Sequence, residues 1–413
     1  MNPVQVSIYA MRTWGELGNL LIARTLKGAI ESQPGFAVRL FEAEDFCPSL
    51  GRTGEEIRRL SQRTVGDPAA RRTGYLGLIA DLEERFPAGF EVEEPPSPAV
   101  LEETAALGGH LAATRPDLVI GTKGIISRLC LSAARRAGCA APVVNFVSNH
   151  GLLELGIHRS VHLPLNLVQF EEARQKLLDR HGYLPERVEG VGQLIAHHEL
   201  SGFVASQEGA AALDLLDPDD TETPVVVVFC NRGGMAYLEL LRLLADRHPE
   251  VPVLFIAYND PELLAAARAL QEERRLRRWA LVHRLSQEAY FRIIGELGGS
   301  RHALLISKAG PNTVMEVLSF GLIPLVLGSG LPMEEWVPEW LRRRGLGLAA
   351  ADMPGLAAAL DGLLQDRERL GRLKRSVLAF REESIAPLRT AEAIARSLER
   401  LLAAYAEPAS GRS

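Results

Sequence analysis

The chain has 413 residues, enough for two domains that each bury a core of their own. Hydrophobic residues make up 47% and charged residues 24%, a balance that excludes a disordered chain. The formal net charge of −6 excludes a general attraction to nucleic acid, which needs concentrated positive charge.

Other composition features narrow the class further. Cys47, Cys130, Cys139 and Cys230 show no CxxC spacing and read as core thiols of a reducing compartment. His197-His198 and the His158/His162 pair lack an acidic or cysteine set beside them, so they read as structural or surface histidines and no metal is expected. The basic clusters at Arg274–Arg278 and Arg342–Arg344 read as solvated helix faces. No apolar run approaches the length of a membrane span, and Met1–Ala10 carries no signal-peptide pattern. The expectation is a cytoplasmic protein, with peripheral contact at the inner membrane face left open.

In chain order, Val4–Ala10 alternates as a strand and Leu20–Ile30 has helical spacing. The loop between them holds only Gly15 and Gly18, so it is not a dinucleotide fingerprint, and Glu16 is its one carboxylate. Phe36–Phe41 reads as a second strand. Pro48 to Pro98 reads as irregular, with a Pro95-Pro96-Ser97-Pro98 break. Its arginines (Arg58, Arg59, Arg63, Arg71, Arg72) are interleaved with acids, which leaves both a helical cap and a membrane patch open. Leu101–Thr114 and Leu129–Ala137 read as helices, and Val143–Val147 as a strand ending in Ser148-Asn149-His150. Gln207–Thr223, rich in Ala, Asp and Pro, reads as a linker.

Val225–Phe229 restarts with a strongly β-branched strand, followed by Asn231-Arg232-Gly233-Gly234-Met235, where small residues permit close backbone approach. Helix Tyr237–Arg247, strand Val253–Tyr258, helix Pro261–Ala269 and strand Ala280–Val282 continue the alternation of a parallel sheet. Ala303–Ile306 then reads as a buried strand, Lys308-Ala309-Gly310 as a tight turn, and Pro311 as the first turn of a helix. Val314, Val317 and Leu318 keep the helical spacing. A small-residue turn feeding a helix N-terminus suits a phosphate or diphosphate. Glu316, one turn further in, suits the paired hydroxyls of a sugar. An ordinary strand–turn–helix joint accounts for the same pattern. Leu322–Leu327 is a further buried strand, and Gly328–Glu335 a polar loop where such a sheet offers a ligand crevice. Helices are expected at Met353–Leu364, Arg367–Phe380 and Arg389–Ala404, with Pro387 as a kink.

Three stretches, in order, carry a family likeness: Lys308-Ala-Gly310-Pro311-Asn312-Thr313-Val-Met-Glu316-Val, Gly321-Leu-Ile-Pro324, and Pro332-Met333-Glu334-Glu335. They resemble the donor half of GT-B glycosyltransferases. The likeness is to the branch holding the monogalactosyldiacylglycerol synthases, the processive diacylglycerol glucosyltransferases and the peptidoglycan N-acetylglucosaminyl transferase. It is best over Val225–Arg375. It implies an α/β protein of two Rossmann-like domains facing a cleft. Residues 1–206 would form the acceptor side, 207–223 the linker, 224–386 the nucleotide-sugar domain, and 387–413 a terminal helix returning to the first domain.

The implied activity is inverting, metal-independent transfer of a hexosyl or N-acetylhexosaminyl group from a UDP-sugar to a small-molecule or lipid acceptor. The nucleotide sugar is a co-substrate and no separate cofactor is implied. Donor contacts would come from Gly233, Gly234, Lys308, Gly310, Pro311, Asn312 and Thr313, with Glu316 on the ribose and Glu334/Glu335 on the sugar hydroxyls.

The chain departs from the family in three places. A Gln-Glu pair is here Glu334-Glu335, which replaces an amide donor with an acceptor-only group. The family's glycine-loop histidine is missing, leaving Glu16, and its post-strand aspartate is Asn149 with His150 beside it. Glu16, His150 and Asn149 are therefore the candidate catalytic positions. The departures keep open a nucleotide-sugar 2-epimerase and a non-catalytic subunit that stabilises a partner glycosyltransferase.

Overall fold

The computed structural model describes residues 2–12, 17–64, 67–195, 223–230, 234–258, 260–300 and 302–406. Glu16, Gly233 and residues 207–222 of the expected linker lie outside the described residues. The chain divides into two compact units, one of Met1–Leu60, Arg72–Ser201 and Ala386–Ser413, the other of Ser61–Arg71 and Gly202–Ile385.

The first unit is built on β1 (Val4–Ala10), β2 (Phe36–Glu42), β3 (Leu118–Gly121), β4 (Val143–Val147), β5 (Leu165–Val168) and β6 (Val188–Gly190). All pair in parallel in the order β2-β1-β3-β4-β5-β6. Strands β3, β4 and β5 are buried at every residue, as a parallel sheet covered on both faces requires. Helix α1 (Leu17–Glu31) supplies Ile22, Leu26 and Ile30 to this core, beside Val6 and Ile8 of β1. Ala391, Ile394 and Leu398 of the last helix, Pro387–Ala406, enter the same cluster.

The stretch expected to be irregular contains two helices, α2 (Pro48–Arg63) and α3 (Pro68–Arg85). Their charges masked the pattern: Arg58 and Arg59 pair with Glu55 and Glu56 on the exposed side, while Leu50, Ile57, Tyr75, Ile79 and Leu82 are buried. Exposed pairs of this kind contribute little, so the apolar stripe holds the helices. The carboxylate of Glu103, on α4 (Pro98–Thr114), accepts from the Ser49 and Leu50 N–H groups and satisfies the start of α2. Pro387 is the first residue of the last helix rather than a kink, at a position where its missing N–H costs nothing.

The second unit holds β7 (Val225–Phe229), β8 (Val253–Ile256), β9 (Trp279–Val282), β10 (Ala303–Lys308), β11 (Ile323–Leu327) and β12 (Leu348–Ala350). They run parallel in the order β12-β11-β10-β7-β8-β9. Strand order reverses between β7 and β10, and a ligand of an open α/β sheet binds outside the carboxyl ends of the strands at such a point. Helix Pro311–Ser319 leaves β10 there. Its far end is pinned by Lys374, whose buried Nζ donates to the Gly298 carbonyl (2.6 Å) and the Gly321 carbonyl (2.7 Å). Gly321 has φ +83°, a turn that a side chain would strain. Among the described residues no helix is long and apolar enough to cross a membrane.

Candidate active site

Strand β10 ends at Lys308, and the chain reverses tightly: the Gly310 N–H donates to the Lys308 carbonyl at 2.7 Å. The Ala309 N–H donates to Leu327 at 2.8 Å, so the ends of β10 and β11 are held together. Gly310 is the N-cap of helix Pro311–Ser319, no side chain caps it, and Val314 N–H makes the first helical bond back to the Gly310 carbonyl. First-turn N–H groups of a helix have no intrahelical acceptor, and they stand at the positive end of the dipole. The bare side of Gly310 faces the end of the Lys308 side chain and the Thr313 hydroxyl. A Cβ built there would lie 3.7 Å from Thr313 Oγ1 and 3.8 Å from Lys308 Nζ. Pro311 is buried, and Asn312 and Thr313 are half-buried on the same first turn.

The loop after β11 closes on this turn. Lys308 Nζ lies 2.7 Å from Glu334 Oε1. Glu334 is only 7% exposed, and its second oxygen, Oε2, is buried with no hydrogen-bond partner. Glu335, next in sequence, is exposed. The Ser329 carbonyl of this loop accepts from Arg71 Nη1 at 3.2 Å, and Gly328 N–H donates to Ala350 at 2.9 Å.

Glu316 lies one turn into the helix. Its side chain is half-buried, yet desolvation pushes its carboxyl up to about 8. Burial, and then the Glu316 carboxyl, push the Tyr290 phenol well above its ordinary range, and the Tyr290 hydroxyl is buried without a hydrogen-bond partner. Phe229, at the end of β7, packs against Tyr290 (5.6 Å between ring centroids) and Tyr258 (5.8 Å). The Arg284 guanidinium stands 5.5 Å over the Tyr258 ring, and Tyr258 adopts φ +38°. Gly234 turns the chain into helix Ala236–Arg247 with φ +54°. Lys308, Gly310–Thr313, Glu316 and Glu334 thus share one end of the sheet with an aromatic group the sequence reading did not single out. The signal available was the position of Phe229 and Tyr258 at or just past the ends of β7 and β8.

The first unit gives a different picture. Asn149 follows β4, and its Oδ1 accepts from the Gly151 N–H at 2.9 Å, capping the short turn His150–Glu154. The His150 backbone opens that turn, while its side chain is outside the described residues. Lys123, two residues past β3, was also missed. It is 4% exposed, and burial pulls its ammonium down to about 8 against the opposing pull of the Glu44 carboxylate. His158, buried nearby, is held well below its ordinary range by burial and then by Lys123 and Arg128. A lysine just past a strand's carboxyl end, opening the next helix, was the legible hint.

No protein-family model and no curated protein matches this chain. Solved structures do. A Polygonum tinctorium UDP-glucosyltransferase capable of glucosylating indoxyl superposes with a TM-score of 0.65 at 13% identity, covering 98% of this chain and 99% of its own. Phytolacca americana UGT2, complexed with UDP-2-fluoro-glucose and pterostilbene, gives 0.63 at 13% over 98% of this chain and 100% of that one. The UDP-GlcNAc 2-epimerase of Neisseria meningitidis bound to UDP-GlcNAc gives 0.60 at 12%, covering 96% and 99%. The fold is GT-B. Two Rossmann-like α/β units are what the chain shares with these proteins at such low identity.

Proposed function

We propose that this chain is a glycosyltransferase that moves a hexosyl or N-acetylhexosaminyl group from a UDP-sugar to an acceptor, with inversion. The observation that carries this reading is the bare Gly310 face, flanked by the Lys308 ammonium and the Thr313 hydroxyl at the uncapped start of a helix. Such a helix start would be a positively polarised seat for a diphosphate. Its charge would be met by the helix and Lys308, without a divalent cation. Gly233 and Gly234 would let the backbone approach the donor, Glu316 would read the ribose hydroxyls, and Glu334 and Glu335 the sugar hydroxyls.

In the transfer step the acceptor oxygen bonds to the anomeric carbon while the bond from that carbon to the diphosphate oxygen breaks. The electron pair leaves with UDP, and the acceptor proton passes to a base, for which Glu16 and His150 are the candidates. Asn149 has no proton-accepting capacity, and its side chain is engaged with Gly151, so it would orient rather than react. The acceptor would be a small molecule or a lipid.

Titration with UDP tests the seat. Thr313→Asp places a carboxylate beside the diphosphate and is expected to weaken UDP binding at least tenfold with an unchanged melting curve. An unchanged affinity removes the assignment. Incubation with a panel of UDP-sugars then separates the reactions. Acceptor-dependent UDP release supports transfer, and isomerised sugar supports a 2-epimerase, the activity named for the Neisseria neighbour. Tight binding with neither supports a non-catalytic subunit.

A further inference from the structure

Glu334 is anchored to Lys308 through one oxygen only. A structural role as counter-ion needs no more than that oxygen. The other, Oε2, is buried and unpartnered within a side chain 7% exposed, an arrangement that costs free energy in the empty protein. Such a cost is recovered when a ligand brings a hydrogen-bond donor to the oxygen. A carboxylate accepts and does not donate, so the complementary group is a hydroxyl or an amide N–H. Lys308 is also committed in two directions, since the same Nζ borders the bare Gly310 face. A further anion beside Glu334 would therefore meet a cation already shared with the diphosphate.

Resting on the donor reading given above, we infer that Glu334 makes this site selective for donors whose sugar is uncharged, a neutral hexose or N-acetylhexosamine, and rejects uronic acids. An amide at this position could donate to a uronate, whereas the carboxylate repels it.

The experiment is calorimetric titration of the full chain with UDP, UDP-glucose and UDP-glucuronate. UDP-glucuronate is expected to bind at least tenfold more weakly than UDP-glucose. Glu334→Gln, which keeps an acceptor for Lys308 and adds a donor, is expected to narrow the gap to less than threefold. Equal affinities of the unaltered protein for the two sugars overturn the inference whatever the variant does. So does a gap that Glu334→Gln leaves untouched. Failure of UDP itself to bind overturns the nucleotide reading and this inference with it, while UDP binding without sugar discrimination overturns this inference alone.

Discussion

Arg128 donates through Nε to Glu91 Oε2 across 3.0 Å, with both side chains 1% exposed. Nη1 donates to the Ile157 carbonyl (3.1 Å) and Nη2 to the Pro87 carbonyl (2.7 Å), and Ser160 Oγ donates to the second Glu91 oxygen. Arg128 also stands 4.4 Å over the Phe90 ring. A buried pair of this kind is costly to halve, because the survivor is left charged without a partner. Glu91→Ala is therefore expected to cost about 3–5 kcal/mol in urea denaturation. A midpoint within error of the unaltered protein would show the pair to be dispensable.

Leu398 is fully buried against the first sheet although it comes from the last helix. Leu398→Ala is expected to destabilise the first unit by about 2–5 kcal/mol. Hydrogen exchange should report the loss in β1 and β3. If protection there is unaltered, the last helix does not support that core in solution.

The Glu316 carboxyl, pushed up to about 8 by burial, binds its proton more tightly folded than unfolded, where 4.5 is its ordinary value. The folded form therefore holds a proton that the unfolded form has released between those values, and stability falls as pH rises through that window. Relative to Glu316→Gln, the unaltered protein is expected to lose melting temperature steadily from about pH 5 to about pH 8, then level off. If ribose hydroxyls bond to the carboxylate, UDP binding at pH 7 should also release protons, detected by calorimetry in buffers of different ionisation enthalpy. A flat difference curve, or proton release retained in Glu316→Gln, places the titration elsewhere.

A positioned base contributes roughly 10²–10⁴-fold to transfer onto a hydroxyl. Glu16→Gln or His150→Ala is expected to lower turnover by about that factor with UDP affinity retained. Asn149→Ala should act more mildly, and through the turn it caps, because its Oδ1 is bound to Gly151 N–H. Near-normal turnover in both of the first two variants points to an amine acceptor, which needs less proton removal.

Five strands of the second sheet were readable as short apolar runs closed by turn residues, Val225–Phe229 and Ala303–Lys308 above all, while the three-residue edge strand β12 was not. Pro311 and the spacing of Val314, Val317 and Leu318 marked the helix of the candidate site. Helices α2 and α3 escaped because a stripe of single apolar residues was diluted by arginine and glutamate. Strands β5 and β6 were overlooked because they are short, at Leu165–Val168 and Val188–Gly190, and owe their order to pairing with distant residues. The Lys308–Glu334 pair was illegible for a similar reason. Both residues were expected to face a ligand, and only adjacency of β10 and β11 reveals that they face each other. Burial that moves the Glu316 and Lys123 proton affinities has no trace in local sequence at all.

The entry of Ala391, Ile394 and Leu398 into the first core has a consequence for synthesis. Residues 202–385 are, in effect, an insertion between two segments of one folding unit. On a ribosome adding about 5–20 residues per second, the sheet of β1–β6 waits roughly 10–40 s for its last helix. During that interval the apolar surface around Val6, Ile8 and Ile22 lacks its cover, whereas the second unit is complete as it emerges. The first half of the chain is thus the half whose apolar surface stays uncovered longest, even though it is made first.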